Sequence, residues 1–310
     1  MHPAFSILFF TTLAGTAQGL IVMLALAVLG GVYMAPSFLF MALGLAEGLL
    51  VAGLAASFLH LGRKMQAWRA VLMWRTSWMS REVIVLPAFI GLVAVWWLAL
   101  QMGATAPWTR AMPVLLLLGA VALWYCTAMI YACLRFIEEW AHPLTVVNFT
   151  LIGLSSGLVL GCALAAVSGE ARLLQAAGPW AMAATVAAWA VRFMALRRNA
   201  GIKHKSTLQS ATGIKSAQLV QKSMGMSAGA FNTQEFFHGA RQATLKNVKV
   251  GFQVLAFGLP ALLLLWGVAS QSVLPWVVAA MVQAPGLLAE RWFFFAEAKH
   301  PQNLYYQVVS

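Results

Sequence analysis

Residues 57–82, SFLHLGRKMQAWRAVLMWRTSWMSRE, start at the end of one long apolar run and stop where the next begins. Between those runs sit His60, Arg63, Lys64, Arg69, Arg75, Arg81 and Glu82, interleaved with Trp68, Trp74 and Trp78, in a chain of which only 9% is charged. Charge and indole gathered between two almost uncharged stretches mark a polar junction at a membrane surface.

Working outward, 62% of the 310 residues are hydrophobic, too many for an ordinary soluble domain. A helix needs about 20 apolar residues to cross the roughly 30 Å of hydrocarbon. Eight runs qualify: 11–33, 37–59, 83–103, 113–135, 146–167, 179–196, 250–269 and 274–296. Backbone inside lipid must satisfy its own hydrogen bonds, so the expected fold is all-α, a polytopic membrane protein packed as two four-helix bundles. Residues 1–310 are expected to form a single integral membrane domain, with 197–249 a basic cytoplasmic loop.

With eight spans, the basic residues divide unevenly. One side holds both termini, 60–82, 136–145 and 197–249, and with nearby helix ends carries 18 of the 20 Lys and Arg; Arg110 and Arg172 fall on the other. This asymmetry predicts both termini in the cytoplasm of a multi-pass protein of the bacterial inner membrane. The formal charge of +12 is read as topology and lipid contact, not as nucleic-acid binding. The N-terminus, MHPAFSILFF, lacks the basic segment of a signal peptide, so the first span is expected to be retained.

The first span carries Gly15, Gly19, Gly30 and Gly31, suited to close helix contact, and Gln18 as its one strongly polar group. Glu47 in the second span lies about 20 Å along a helix axis from His60. Its plainer reading is a protonated, hydrogen-bonded packing residue and its sharper one a proton relay. In the opening stretch, Trp at the interface and snorkelling Arg and Lys can be a plain aromatic and cationic belt. Three details point further. His60 ends a span beside Gly62, Glu82 begins the next, and Trp74, Trp78 and Glu82 recur every fourth residue, one stripe if that part is helical. A quinone fits such a place: indoles stack on its ring, His60 donates to a carbonyl, and Glu82 passes protons. Arg81, about 100° around a helix from Glu82, would meet a headgroup, a partner carboxylate or the second carbonyl.

These residues resemble the membrane anchor subunits of dimethyl sulfoxide reductase type molybdoenzymes. The resemblance lies in H-L-G at 60–62, A-W-R at 67–69 and S-R-E at 80–82, with His and Glu 22 positions apart. It extends to 206–239, STLQSATGIKSAQLVQKSMGMSAGAFNTQEFFHG, and to 290–300, ERWFFFAEAKH. WRTSWMSRE is similar to the branch that anchors cytoplasmic sulfite-oxidising complexes. The resemblance implies a ubiquinone or menaquinone site on this chain. It places molybdopterin in a catalytic partner and clusters in an iron-sulfur partner. Arg63, Lys64, Phe231, Phe236 and Phe237 would dock that partner, which the 197–249 loop faces.

Other features bound the chemistry. Cys126, Cys133 and Cys162 are too few to hold an iron-sulfur cluster and are expected as small buried hydrophobes, and no metal site is expected. His2, His60, His142, His204, His238 and His300 all fall on the basic side, so heme is not expected. The segment LRFIEEWAHPL, with Glu138, Glu139 and His142, reads as a solvated turn ended by Pro143. Glu290 and Arg291, adjacent near the end of the last span, do not face each other on a helix. Each should find a partner elsewhere, as a structural anchor or as a relay beside the quinone. The expected function is therefore a quinone-reactive anchor that takes electrons from sulfite oxidation. Two alternatives stand beside it: a quinol-oxidising anchor of a dimethyl sulfoxide reductase, and a secondary transporter with Glu47 and Glu290 as coupling groups.

Overall fold

A computed structural model describes residues 4–59, 64–103, 106–203, 205–220, 222, 239–270 and 272–301. Eight helices among them are long and apolar enough to cross a membrane: α1 (Phe5–Leu29), α2 (Pro36–Leu59), α3 (Trp78–Gln101), α4 (Met112–Ala132), α5 (Pro143–Val167), α6 (Ala171–Ala200), α7 (Gln242–Ser270) and α8 (Val273–Glu297). No strand occurs among the described residues.

Helix ends follow local chemistry. Ser77, in extended backbone, accepts a hydrogen bond from the Ser80 amide and starts α3; His142 does the same for Leu144 at the head of α5, where Pro143 occupies the first helical position. Gly169, with φ of 73°, closes the tight turn between α5 and α6. Beside that turn the Ala35 amide donates to the Glu170 carboxylate at 3.0 Å, tying the α1–α2 and α5–α6 connections together. Several spans run past their expected ends: α1 starts at Phe5, and α6 extends 30 residues through Pro179 to Ala200. In α6 polar and basic residues continue the helix beyond its apolar run, whereas the added start of α1, FSILFF, is itself apolar and belongs to the span.

The packing is two rings of four. Helices α1 to α4 pack neighbour to neighbour and close through α1 and α4, while α5, α6, α7 and α8 close the second ring through α8 and α5. The seam is α1 against α5, and there side chains are reduced to nothing. A Cβ on Gly19 would meet the Gly153 carbonyl, and one on Gly157 would land on the backbone of Gly19 and Leu20. This is the small-residue spacing by which lipid-embedded helices approach closely, Gly15 and Gly19 facing Gly153 and Gly157. Thr16 donates to Ser156 across the same contact at 3.0 Å. Within α7, residues Gln253–Gly258 form a π-helical stretch, and Gln283 of α8 donates to the Ala256 carbonyl at 3.1 Å.

Candidate functional site

The junction between α2 and α3 supplies the site. Lys64–Met73 forms a 3₁₀ helix with no buried residue. It lays Met65, Trp68, Leu72 and Met73 outward, with the Arg69 guanidinium 5.7 Å from the Trp68 ring. Apolar bodies beside cationic heads suit the headgroup layer of a membrane. Arg81 then clamps the turn that follows, donating from Nε to the Trp74 carbonyl (2.9 Å) and from Nη2 to the Arg75 carbonyl (2.8 Å). Its guanidinium also lies 4.0 Å from the centre of the Trp78 ring. That arginine holds the loop in place with two of its donors.

One turn into α3, Glu82 is 7% exposed and accepts a hydrogen bond from the Thr127 hydroxyl of α4. Trp78, at the helix start, meets Tyr125 of α4 edge to face at 5.3 Å. The stripe expected of Trp74, Trp78 and Glu82 is broken, because the Ser77 cap begins the helix only at Trp78. Trp74 sits in the preceding turn, half exposed, with Arg75 stacked 5.4 Å away. His60, Gly62 and Arg63, and likewise Phe231, Phe236 and Phe237, lie outside the described residues. Lys64 is exposed at the start of the 3₁₀ segment. Glu47 is half-buried on α2, and its Oε2 is enclosed without a hydrogen-bond partner among the described residues.

A second polar cluster lies in the other ring. Glu290 of α8, 1% exposed, pairs with Arg192 of α6 at 2.7 Å and with Arg291 at 3.6 Å. Arg192 also reaches Glu297 at 3.7 Å, and the Arg291 guanidinium lies over the Phe149 ring at 3.8 Å. The partner expected for Glu290 on another helix is therefore Arg192. Contrary to expectation, Arg291 also meets Glu290, its neighbour in sequence, because its long side chain folds back along α8, and the group they form with Arg192 is buried.

Residues 1–290 match the family described as DMSO reductase anchor subunit (DmsC). The chain belongs to this anchor family. The anchor is 48% identical, over an alignment of 330 positions covering 100% of both chains, to a sulfite dehydrogenase subunit from Allochromatium vinosum. It is thus a membrane-embedded anchor subunit of a multi-subunit complex of the DMSO reductase type, which decides against the transporter reading.

The anchor's α4–α5 connection is packed, not the solvated turn its polar sequence suggests. Ile137 and Trp140 are 1% and 3% exposed, and the Trp140 indole donates to the Phe294 carbonyl at 3.1 Å. Trp140, Tyr131, Phe149, Phe294 and Phe295 interleave as one aromatic cluster, with stacked and edge-to-face pairs. Arg198 and the Lys205 amide reach the Glu138 carbonyl and carboxylate at 3.0 and 3.2 Å. Burial, then the Arg198 charge, lowers the pKa of His142, which keeps Nδ1 unprotonated and able to accept from Leu144 at 3.2 Å. Because the folded pKa lies below the ordinary one, this cap is intact above the ordinary histidine range and is lost as pH falls.

Sequence reasoning missed Thr127 and Arg192. Thr127 carries no signal in an apolar run, since a threonine there commonly bonds its own helix. Arg192 did carry one: a lone arginine inside a span seldom stands without an acid in a neighbouring one. Arg192→Leu leaves Glu290 with Arg291 alone and is expected to destabilise the anchor by about 3–5 kcal/mol. Replacing the three together, Arg192→Leu with Glu290→Leu and Arg291→Leu, should recover most of that loss, because none of the three then leaves another as an unpaired buried charge; the readout is thermal unfolding of the purified chain in detergent.

Proposed function

We propose that the anchor exchanges electrons between a soluble assembly and a quinone held where α2 and α3 emerge, and that the electrons come from sulfite. The observation that carries this reading is Glu82: a carboxyl buried one turn inside α3 and bonded to Thr127, in a helix that starts at Trp78 and follows the exposed Trp68 and Trp74. A bound quinone would supply a two-electron, two-proton couple. The anchor's own residues would do the rest. Glu82 holds a proton at its carboxyl, the indoles give the ring flat apolar walls, Arg81 fixes the turn that presents them, and His60, implied by the family motif, donates from the end of α2. Glu47, Glu290 and Arg291 lie farther from this junction in sequence and are proposed as supporting groups for charge and protons.

Direction follows from the bases. With 18 of 20 Lys and Arg on the side of the 60–82 loop, that loop faces the cytoplasm, and so do the partners that feed it. Full-length similarity to a sulfite dehydrogenase subunit supports sulfite as the electron source and the quinone pool as acceptor. Molybdopterin and iron-sulfur clusters then belong to two cytoplasmic partners, docked through Arg63, Lys64, Phe231, Phe236, Phe237 and the 197–249 segment. Affinity purification of the anchor from gently solubilised inner membranes should bring down two further proteins, one with molybdenum and one with iron. That preparation should reduce a short-chain ubiquinone with sulfite. Recovery of the anchor alone, or a fusion reporter placing residue 70 outside the cytoplasm, would sink this reading; the latter would favour a quinol-oxidising reductase anchor.

A further inference from the structure

The two buried polar clusters meet across one small cavity at the seam of the rings. It is lined by Thr127, the partner of Glu82, and by Arg291, the neighbour of Glu290, together with Thr12, Gln18, Trp124 and Ser156. Its volume is about 20 Å³. A water molecule needs roughly 10–15 Å³ of such space and two to four polar partners.

The lining supplies those partners. Gln18 and Trp124 are 2% and 5% exposed, and Gln18 Oε1, Trp124 Nε1 and Thr12 Oγ1 are enclosed with no hydrogen-bond partner among the described residues. The Gln18 amide nitrogen is already committed to the Ala14 carbonyl at 2.9 Å, which leaves the oxygen as an acceptor with no partner among the described residues. An indole N–H can only donate, and a hydroxyl does both. One acceptor, one donor and one group of either kind around a space of this size are complementary to water. Buried polar groups are seldom left unpaired in folded proteins. Packing joins the same region: Tyr131 of α4 stacks on Phe149 at 5.5 Å, and the Arg291 guanidinium covers that ring at 3.8 Å.

We infer that this cavity binds one internal water, which accepts from Trp124, donates to Gln18, and joins the Thr127 hydroxyl to the Arg291 guanidinium. Glu82 in the first ring is thereby hydrogen-bonded, through Thr127 and the water, to the Arg291–Glu290–Arg192 group in the second. Gln18 and Trp124 are positioning residues in this arrangement, since each acts on Glu82 through the water, whereas Thr127 bonds the Glu82 carboxyl directly. The inference does not depend on what docks outside, because the water and its partners lie wholly within the chain.

Infrared difference spectra of the purified complex, taken between two pH values with no quinone added, test it. The band lost in Glu82→Gln identifies the Glu82 carboxyl stretch. The titratable side chains that feel the Glu82 charge are Cys126 and Tyr131 of α4, and Arg81 stands next to it on α3, so the spectra are compared on that one band. Expected are an O–H stretch that moves on exchange into H₂¹⁸O, its disappearance in Gln18→Leu and Trp124→Phe, and a shift of the Glu82 band in both variants. Thermal unfolding confirms that each variant is folded. Absence of any ¹⁸O-sensitive band, or a Glu82 band unmoved by both substitutions, overturns the inference. Because the trigger is pH, a failed quinone assay leaves this result intact.

Discussion

Glu82→Gln is expected to cut quinone-dependent turnover of the assembled complex by about 10²–10⁴-fold, the usual worth of a positioned acid or base. Glutamine is close to glutamate in size and keeps an oxygen to accept from Thr127, so the α3–α4 contact survives. What it lacks is the capacity to hold and release a proton. Turnover with an artificial acceptor that draws electrons from the soluble partners should stay at the parental rate, because that path bypasses the membrane. His60→Ala should give the same split. Normal quinone activity in both variants would mean that the site lies elsewhere.

The second large effect is on assembly. Gly157→Val places a branched side chain where even a Cβ would overlap the backbone of Gly19 and Leu20. A flexible side chain could yield, but two helix backbones cannot without separating the seam. The cost is expected above about 3 kcal/mol, beyond the ordinary range for overpacking. Gly48→Ala is the control, since a Cβ there meets nothing within 4 Å. The expected readout is loss of folded protein from membranes for the valine variant and a parental melting profile for the alanine one. A stable Gly157→Val protein would mean that α1 and α5 are not in contact through these glycines.

Much of this architecture was legible because lipid imposes it. Span number, helical class and the small residues of α1 follow from hydrocarbon thickness and from the need of Gly15 and Gly19 for close contact. Helix ends were less legible: at Ala200 hydropathy falls before helicity does, and at Phe5 the polar Thr11 and Thr12 divide an apolar stretch that is one helix. The 136–142 segment misled because Ile137, Trp140 and even the Glu139 carboxylate are buried while Phe136 stays exposed, and a short irregular segment has no period to reveal that. Glu82 stood out as an acid beside a span. Thr127, 45 residues away, could be found only by folding the chain. Arg81 stood out too, yet its two hydrogen bonds go to backbone carbonyls, which a sequence does not display.

The glycine seam also sets a timetable for biosynthesis. Thr16 and Ser156, joined across it, are 140 residues apart in the chain. At roughly 5–20 residues per second, α1 waits on the order of ten seconds after leaving the ribosome before α5 exists to cover it. During that interval its notched surface is bathed in lipid, and the nascent chain has no partner for its most closely fitted helix. Commitment of the whole anchor is thereby deferred to the midpoint of translation, when the fifth helix arrives.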